Sequence, residues 1–250
     1  FGASGEEIVI EEFLVGEEAS QLCFVQGETL RPLAAAQDHK PVCDGDRGPN
    51  TGGMGAYSPA PILGEALAKE VEARILRPTV DALAEAGAPF SGLLYAGLMI
   101  GPHGPQVVEF NCRFGDPETQ VVLPRLKTDL LAVMTAVCDG RLAQIELDWR
   151  PQAAVCVALA SGGYPGAYRK GLPITGVQEA AALPDVHIFH AGTALIDGRL
   201  VTNGGRVLNV VGVGDDIAAA KARAYEAAAM IHFDGVHYRR DIADKALKVR

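Results

Sequence analysis

Several of the features that announce common protein classes are scarce in this sequence. Its 250 residues hold five cysteines, Cys23, Cys43, Cys112, Cys138 and Cys156, odd in number and widely separated. With no C-x-x-C pair among them, they exclude a disulfide framework or a cysteine zinc site and read as free thiols in a reducing, cytoplasmic setting. The six histidines show no metal-ligand spacing, and His187 and His190 fall within an expected strand as structural residues. No apolar run approaches the roughly 20 residues that a membrane helix needs. A charged-then-apolar signal pattern is missing from the start, which is polar and Gly-rich from Phe1 to Glu7. Basic charge is also in deficit: the formal net charge is −9. That argues against nucleic acid as a partner, whereas a phosphate ligand needs only a local cluster of donors. Nor is there a Ser/His or Cys/His arrangement that would point to a covalent nucleophile.

What is present suits a packed core. Hydrophobic residues make up 48% and charged residues 21%, enough for one large or two ordinary domains. Ile8–Leu14, Ala19–Val25 and Leu30–Ala36 read as strands of an antiparallel meander, the last two joined at Gly27-Glu28. A long irregular stretch, 37–59, follows, and loops of that length are usually functional. Helix is expected over 64–86, divided or kinked at Pro78 and stopped by Gly87. Leu93–Ile100 is nearly all apolar, as in a central strand. A helix over 129–138, capped by Thr128 or Asp129, precedes a boundary near Leu147–Pro151. Beyond it come strands at 153–160, 187–190, 193–196 and 199–201, the last two joined by Asp197-Gly198, then a strand at 207–213. A final Ala-rich helix runs from Ile217 to about Met230. The fold class is therefore α+β.

Chemistry concentrates in Val107-Val-Glu-Phe-Asn-Cys-Arg-Phe-Gly-Asp-Pro-Glu118. Strand alternation puts Glu109, Asn111 and Arg113 on one face and Val108, Phe110 and Cys112 on the other. Hard oxygens beside a fork-shaped cation suit Mg²⁺ with phosphate. The same stretch also reads as a surface strand with a Glu–Arg pair, and the residues alone leave both readings open. Gly52-Gly-Met-Gly55 suggests close backbone approach to a ligand, its N–H groups available as an anion nest, or else a plain Gly-rich connection. Asp116-Pro117 serves as a turn ending the strand or, with Glu118, as part of a substrate face. Lys40 is open between phosphate and solvent.

Several segments occur in a telling order: Glu11-Glu-Phe-Leu-Val-Gly-Glu-Glu18, Gln37-Asp-His-Lys40, Gly48-Pro-Asn-Thr-Gly-Gly-Met-Gly-Ala-Tyr-Ser-Pro59, Glu109 to Glu118, Asn203-Gly-Gly-Arg-Val-Leu208 and Phe233-Asp-Gly-Val-His-Tyr-Arg-Arg-Asp241. Together they resemble the phosphoribosylamine–glycine ligase family, ATP-grasp enzymes of purine biosynthesis, from one end of the chain to the other. The resemblance implies part of an ATP-grasp fold over 1–148, an antiparallel sheet with helices, followed by a small α+β C-terminal domain over 149–250. It implies Glu109 and Asn111 as ligands of Mg²⁺ or Mn²⁺ on ATP phosphates, and Arg113 as the catalytic cation on the transferred phosphoryl. Tyr95-Ala-Gly-Leu-Met99 offers no further acid. Glu11, Glu12, Phe13 and Leu14 would form the adenine hinge, acting mainly through backbone, and Glu18 would take the ribose hydroxyls. Asp38 with Pro49, Asn50, Thr51, Gly52, Gly53, Met54 and Gly55 would shape the pocket for glycine and its acyl phosphate. Arg206 or Arg239 would reach the ribose phosphate or hold an interface.

The implied substrates are ATP, glycine and phosphoribosylamine, joined through glycyl phosphate. Pro41, Cys43 and Arg47 depart from the family, where Arg, Gly and usually Thr are typical. The family also carries an upstream dinucleotide-fold-like domain and a Gly-rich lid that this chain lacks, so the expectation is a fragment, inactive alone, completed by the missing N-terminal part of the same polypeptide. Alternatives are another ATP-grasp carboxylate–amine ligase or carboxylase, or a non-catalytic nucleotide-binding module.

Overall fold

The computed structural model describes residues 2–248, so Phe1 lies outside the described residues. In chain order the elements are β1 (Glu17–Gln26), β2 (Thr29–Pro32), β3 (Gln37–Asp38), β4 (Pro41–Cys43), β5 (Arg47–Asn50), β6 (Gly55–Ser58), α1 (Glu65–Val71), α2 (Arg77–Glu85), β7 (Ser91–Gly101), β8 (Gly104–Asn111), α3 (Thr119–Val122), α4 (Leu130–Cys138), β9 (Ala153–Ala160), α5 (Val177–Ala181), β10 (Val186–His190), β11 (Thr193–Ile196), β12 (Arg199–Thr202), β13 (Arg206–Gly214), α6 (Ile217–Ala228) and α7 (Asp244–Lys248). Two antiparallel sheets carry the architecture. The first has the order β2-β1-β7-β8 and the second β10-β13-β9-β6-β3.

The apolar strands sit where two-sided burial demands them. β9 is buried along its whole length, between β13 and β6, and β7 lies inside the first sheet. The outer face of the first sheet packs Cys23, Val25, Leu94 and Leu98 under Val71, Ile75, Leu76 and Val80. Its inner face joins Leu22, Phe24, Leu93 and Tyr95 to Ala56, Cys156 and Val211 of the second sheet, with Val121, Val122 and Val133 between them. On the far face of the second sheet, Ala220, Ala224 and Ala227 of α6 close the core.

Local signals explain most boundaries. Asp129 Oδ1 accepts from Ala132 N at 2.8 Å, and Asp216 Oδ1 from Ala219 N at 2.7 Å, capping α4 and α6. The expected break near Pro78 is a π turn over Glu72–Leu76 that delivers Pro78 to the first turn of α2, where its missing N–H costs nothing. After α2, Gly87 N donates to Ala84 O and Ala88 N to Leu83 O, with Gly87 at φ +75°, a Schellman stop. Asp197 and Gly198 both have positive φ, as the tight hairpin requires.

Some expectations need correction. Ile8–Leu14 is unpaired coil; its side chains up to Phe13 are exposed, Val9 at 85% and Phe13 at 89%, and among the described residues no strand hydrogen-bonds to it. The strand at 30–36 ends at Pro32, which lacks a ladder donor. The stretch 37–59 is not a structureless loop but holds β3 to β6, because Gly55–Ser58 pairs with Val157–Ala154 of β9. The second sheet thus takes strands from both sides of residue 148. The tail also returns to this region: Arg239, 1% exposed, forks onto Asp241 at 2.8 and 2.7 Å and donates to Asp46 Oδ1 at 2.8 Å. Arg239 thereby links the tail to the 41–46 segment.

Candidate active site

One face of the first sheet changes character along its length. Glu18, Ser20 and Leu22 of β1 stand opposite Met99, Gly97 and Tyr95 of β7, which in turn meet Glu109 and Asn111 of β8 at Gly97 and Tyr95. Side chains of directly opposed residues share a face. The Leu22 end of that face is core; the Glu18 end is polar and opens toward the second sheet.

On the β8 edge of that face Asn111 Nδ2 donates to Glu109 Oε1 at 3.1 Å, and Arg113 Nη2 donates to Asn111 Oδ1 at 3.3 Å. The three expected side chains are therefore together, although β8 ends at Asn111 and Arg113 sits in the bend beyond. Gly97 makes the arrangement possible: a Cβ there would lie 3.2 Å from Glu109 Cγ. The opposite face is not core as an apolar strand face would suggest. Val108 is 42% and Phe110 40% exposed, and a bulge at Gly97/Leu98 interrupts the register.

Behind this row lies a buried acid cluster. Ala36 pairs with Ser20 on the edge of β1, which carries Asp38 and Lys40 to the level of Glu18. Lys40 Nζ contacts Glu18 and lies 3.5 Å from Asp38 Oδ2. Glu18, expected to face ribose hydroxyls, is thus paired with Lys40, and Lys40 is not simply solvated. Glu118 is 4% exposed and its Oε1 accepts from Tyr95 OH at 2.7 Å and from Ser20 Oγ at 3.2 Å. Asp38 is 6% exposed and its Oδ1 has no hydrogen-bond partner. Burial, and then the negative charge of Glu118, push the Asp38 carboxyl up to about 6 against the pull of Lys40. Lys40 is held above its ordinary value: burial works against its charge, but Asp38 and Glu18 outweigh it.

The Gly-rich segment is arranged differently from an anion nest. Gly52 N donates to Tyr164 OH, Gly53 N to Thr51 Oγ1, and Met54 N to His39 O, so these amides are engaged within the protein. Met54 is fully buried, whereas Pro49 and Asn50 are exposed on β5. The close backbone approach expected of the glycines is real but is made to protein. Gly53, at φ +112°, would place a Cβ 2.4 Å from Pro117 Cδ. Arg206 ties this segment to the turn after β8: Nη1 donates to Gly52 O at 2.8 Å and Asp116 O at 2.7 Å, and Nη2 to Asp116 Oδ2 at 3.0 Å. Asn209 Nδ2 reaches Asp116 Oδ1 at 3.1 Å. Asp116 and Arg206 are thus joined across the two parts of the chain.

Glu11 to Leu14, though not a strand, line a groove of about 620 Å³ with Met99, Gln106, Val107 and Val108. A larger groove, about 770 Å³ between α5 and the β11–β12 hairpin, shares no residue with this site. His190 Nδ1 bonds Thr193 Oγ1 at 3.0 Å beside it, a structural contact. The side chains that sequence reasoning passed over are Ser20 and Tyr95, hidden in apolar strands; the one available signal was the shared parity of Ser20 with Glu18.

Comparison with known proteins gives a consistent picture. Residues 1–119 match the model of the phosphoribosylglycinamide synthetase ATP-grasp (A) domain and residues 154–245 that of the phosphoribosylglycinamide synthetase C domain. Phosphoribosylamine–glycine ligase of Rhodopirellula baltica is 54% identical over 248 residues, covering 99% of this chain and 57% of that protein. The chain therefore spans little more than half the length of this relative. The crystal structure of phosphoribosylamine–glycine ligase from Thermotoga maritima matches with TM-score 0.84 and 38% identity over 93% of this chain and 57% of that one. A biotin carboxylase domain of 2-oxoglutarate carboxylase from Hydrogenobacter thermophilus, described in complex with MgADP, shares the fold at TM-score 0.62 and 11% identity, over 89% of this chain and 47% of that one.

Proposed function

For a chain that belongs to the phosphoribosylglycinamide synthetase family and carries its ATP-grasp and C domains, we propose that it is part of a cytoplasmic, ATP-dependent ligase joining glycine to 5-phosphoribosylamine. The division between the two parts is taken at residue 148. The reaction runs through glycyl phosphate: ATP phosphorylates the glycine carboxylate, and the amine of phosphoribosylamine displaces phosphate to give glycinamide ribonucleotide. One observation carries the reading. Glu109 and Asn111, with Arg113 hydrogen-bonded to Asn111 from the bend beyond, lie on the same sheet face as Ser20 and Tyr95, which hold the buried acid Glu118.

Glu109 and Asn111 are two hard-oxygen donors at an open edge, and among the described residues no group of three His, Cys, Asp or Glu side chains assembles as a cage. That donor set suits Mg²⁺, or Mn²⁺, with its remaining positions filled by phosphate oxygens and water. Such an ion neutralises charge on the ATP phosphates. A half-turn of the Asn111 carboxamide would present Oδ1 beside Glu109. Arg113, in the bend beyond the strand end, supplies charge to the transferred phosphoryl. The groove at Glu11–Leu14 takes the adenine through backbone groups, with Val107, Val108 and Met99 as its apolar walls. Glu18 meets the ribose only by giving up Lys40. Asp38 lines the pocket for glycine and the acyl phosphate. The 49–55 segment bounds that pocket, Pro49, Asn50 and Thr51 from its accessible part and Gly52 to Gly55 as its packed base.

The test is to measure ADP release by the full-length protein with ATP, Mg²⁺ and single candidate substrates. Stimulation by glycine with phosphoribosylamine, and formation of the amide product, is expected. Stimulation by a different carboxylate, or by bicarbonate, instead of glycine would replace this reading with another ATP-grasp ligase or carboxylase.

A further inference from the structure

Two carboxylates share the inner end of the site and are treated in opposite ways by their surroundings. Glu118 receives hydroxyl donors from Tyr95 and Ser20 on one oxygen, at 2.7 and 3.2 Å. Hydrogen bonds of that kind fix the group in place. Asp38 is as deeply buried, yet its Oδ1 receives no donor at all, while Oδ2 lies 3.5 Å from the Lys40 ammonium. A buried acceptor left empty costs stability and is rare, so the orphan Oδ1 of Asp38 calls for an explanation. Paired acids held in contrasting environments divide the roles of fixed charge and proton acceptor.

We propose that Asp38 is the general base of the second half-reaction, taking the proton from the attacking amine, with Glu118 as the fixed charge that keeps it basic. The inference rests on the ligase reading given above. In this step the amine nitrogen forms a bond to the acyl carbon of glycyl phosphate and the carbon–oxygen bond to phosphate breaks. The phosphate leaves with the bonding pair, and the nitrogen's proton passes to Asp38 Oδ1 and on to the released phosphate or solvent. Every group facing Asp38 takes part in setting its basicity. Burial and the charges of Glu118 and Glu18 raise it; Lys40 and His39 lower it. A proton acceptor working near neutral pH is what amine attack requires, because efficiency is greatest when the base's pKa lies close to the working pH.

Both halves of the reaction can be followed in the full-length protein. Glycyl phosphate formation is read by trapping with hydroxylamine as glycine hydroxamate, and amide formation by product analysis with phosphoribosylamine. Asp38→Asn is expected to lower amide formation on the order of 10²–10⁴-fold, a loss much larger than that in hydroxamate formation. Glu118→Gln, which keeps an acceptor for Tyr95 and Ser20, is expected to move the acidic limb of the kcat/KM profile for amide formation to lower pH. Equal loss of both half-reactions in Asp38→Asn, or a rise confined to the KM for glycine, would overturn the assignment and make Asp38 a holder of the glycine ammonium. So would an acidic limb unmoved in Glu118→Gln. A wild-type protein that yields no glycine hydroxamate would overturn the ligase reading itself, and this inference with it.

Discussion

Arg206 shows how much a single side chain can determine. Its guanidinium satisfies carbonyls of Gly52, Gly53 and Asp116 and pairs with the Asp116 carboxylate, joining segments 90 and 154 residues apart in sequence. Replacing it with Met leaves those acceptors without donors in a half-buried seam. The loss should be about 3 kcal/mol, the range for breaking one side of a buried pair. Urea denaturation measures it; a midpoint shifted by less than a tenth of the wild-type value would show the seam to be weak. Sequence alone left Arg206 between ligand and interface because spacing in the chain does not reveal which carbonyls converge on a guanidinium. Glu109 and Asn111 were legible because strand parity is local. Glu118 was open as part of a substrate face, but its burial was not legible, because it depends on Tyr95 and Ser20, which are remote in sequence.

Among the elements, those whose signals are local formed as expected. α4 and α6 begin at their capping aspartates, and the Asp197-Gly198 hairpin turns where two positive φ values are needed. Asp129→Ala should cost about 1 kcal/mol, seen as a lower urea midpoint with unchanged slope; an unchanged midpoint would show that the cap is redundant. Elements that depend on a partner were harder to read. Ile8–Leu14 has the composition of a strand, but no strand hydrogen-bonds to it among the described residues, and composition cannot supply one. Conversely Gly55–Ser58 looks like loop and becomes β6 because β9 offers it an edge. The Gly-rich run is packed closely within the protein. Gly53→Ala must relieve a 2.4 Å contact with Pro117 at φ +112°, so a loss of at least about 1–2 kcal/mol is expected. Denaturation at wild-type stability would contradict that packing.

At the scale of the whole molecule, two ionisations set opposite pH trends. Asp241 is pushed up by burial, but the Arg239 fork outweighs this and holds it below the usual carboxylate range. A depressed folded pKa stabilises above the unfolded value, near 4, and that stability is lost as pH falls further. Asp38 is raised to about 6, so its contribution is full below the unfolded value and is lost as pH rises from about 4 through 6. Asp38→Asn should therefore melt higher than wild type at pH 8, with the advantage vanishing by pH 4. A lower melting temperature at pH 8 would show that the Asp38 charge stabilises the fold and is not held there at a cost. The expected gain in stability accompanies an expected loss of amide formation, the trade commonly found where a site keeps an uncompensated group.

These scales meet on the inner face of the first sheet, where the core ends and the polar row of Glu109, Asn111 and Arg113 begins. The decisive measurement is ADP release by the full-length protein with glycine and phosphoribosylamine, titrated with Mg²⁺ or Mn²⁺, in wild type and in Glu109→Ala. Loss of metal-dependent ADP release on the order of 10²–10³-fold, with the fold intact by circular dichroism, is the expected result. Wild-type turnover with unchanged metal dependence in Glu109→Ala would contradict the account and return Glu109 to a surface salt bridge.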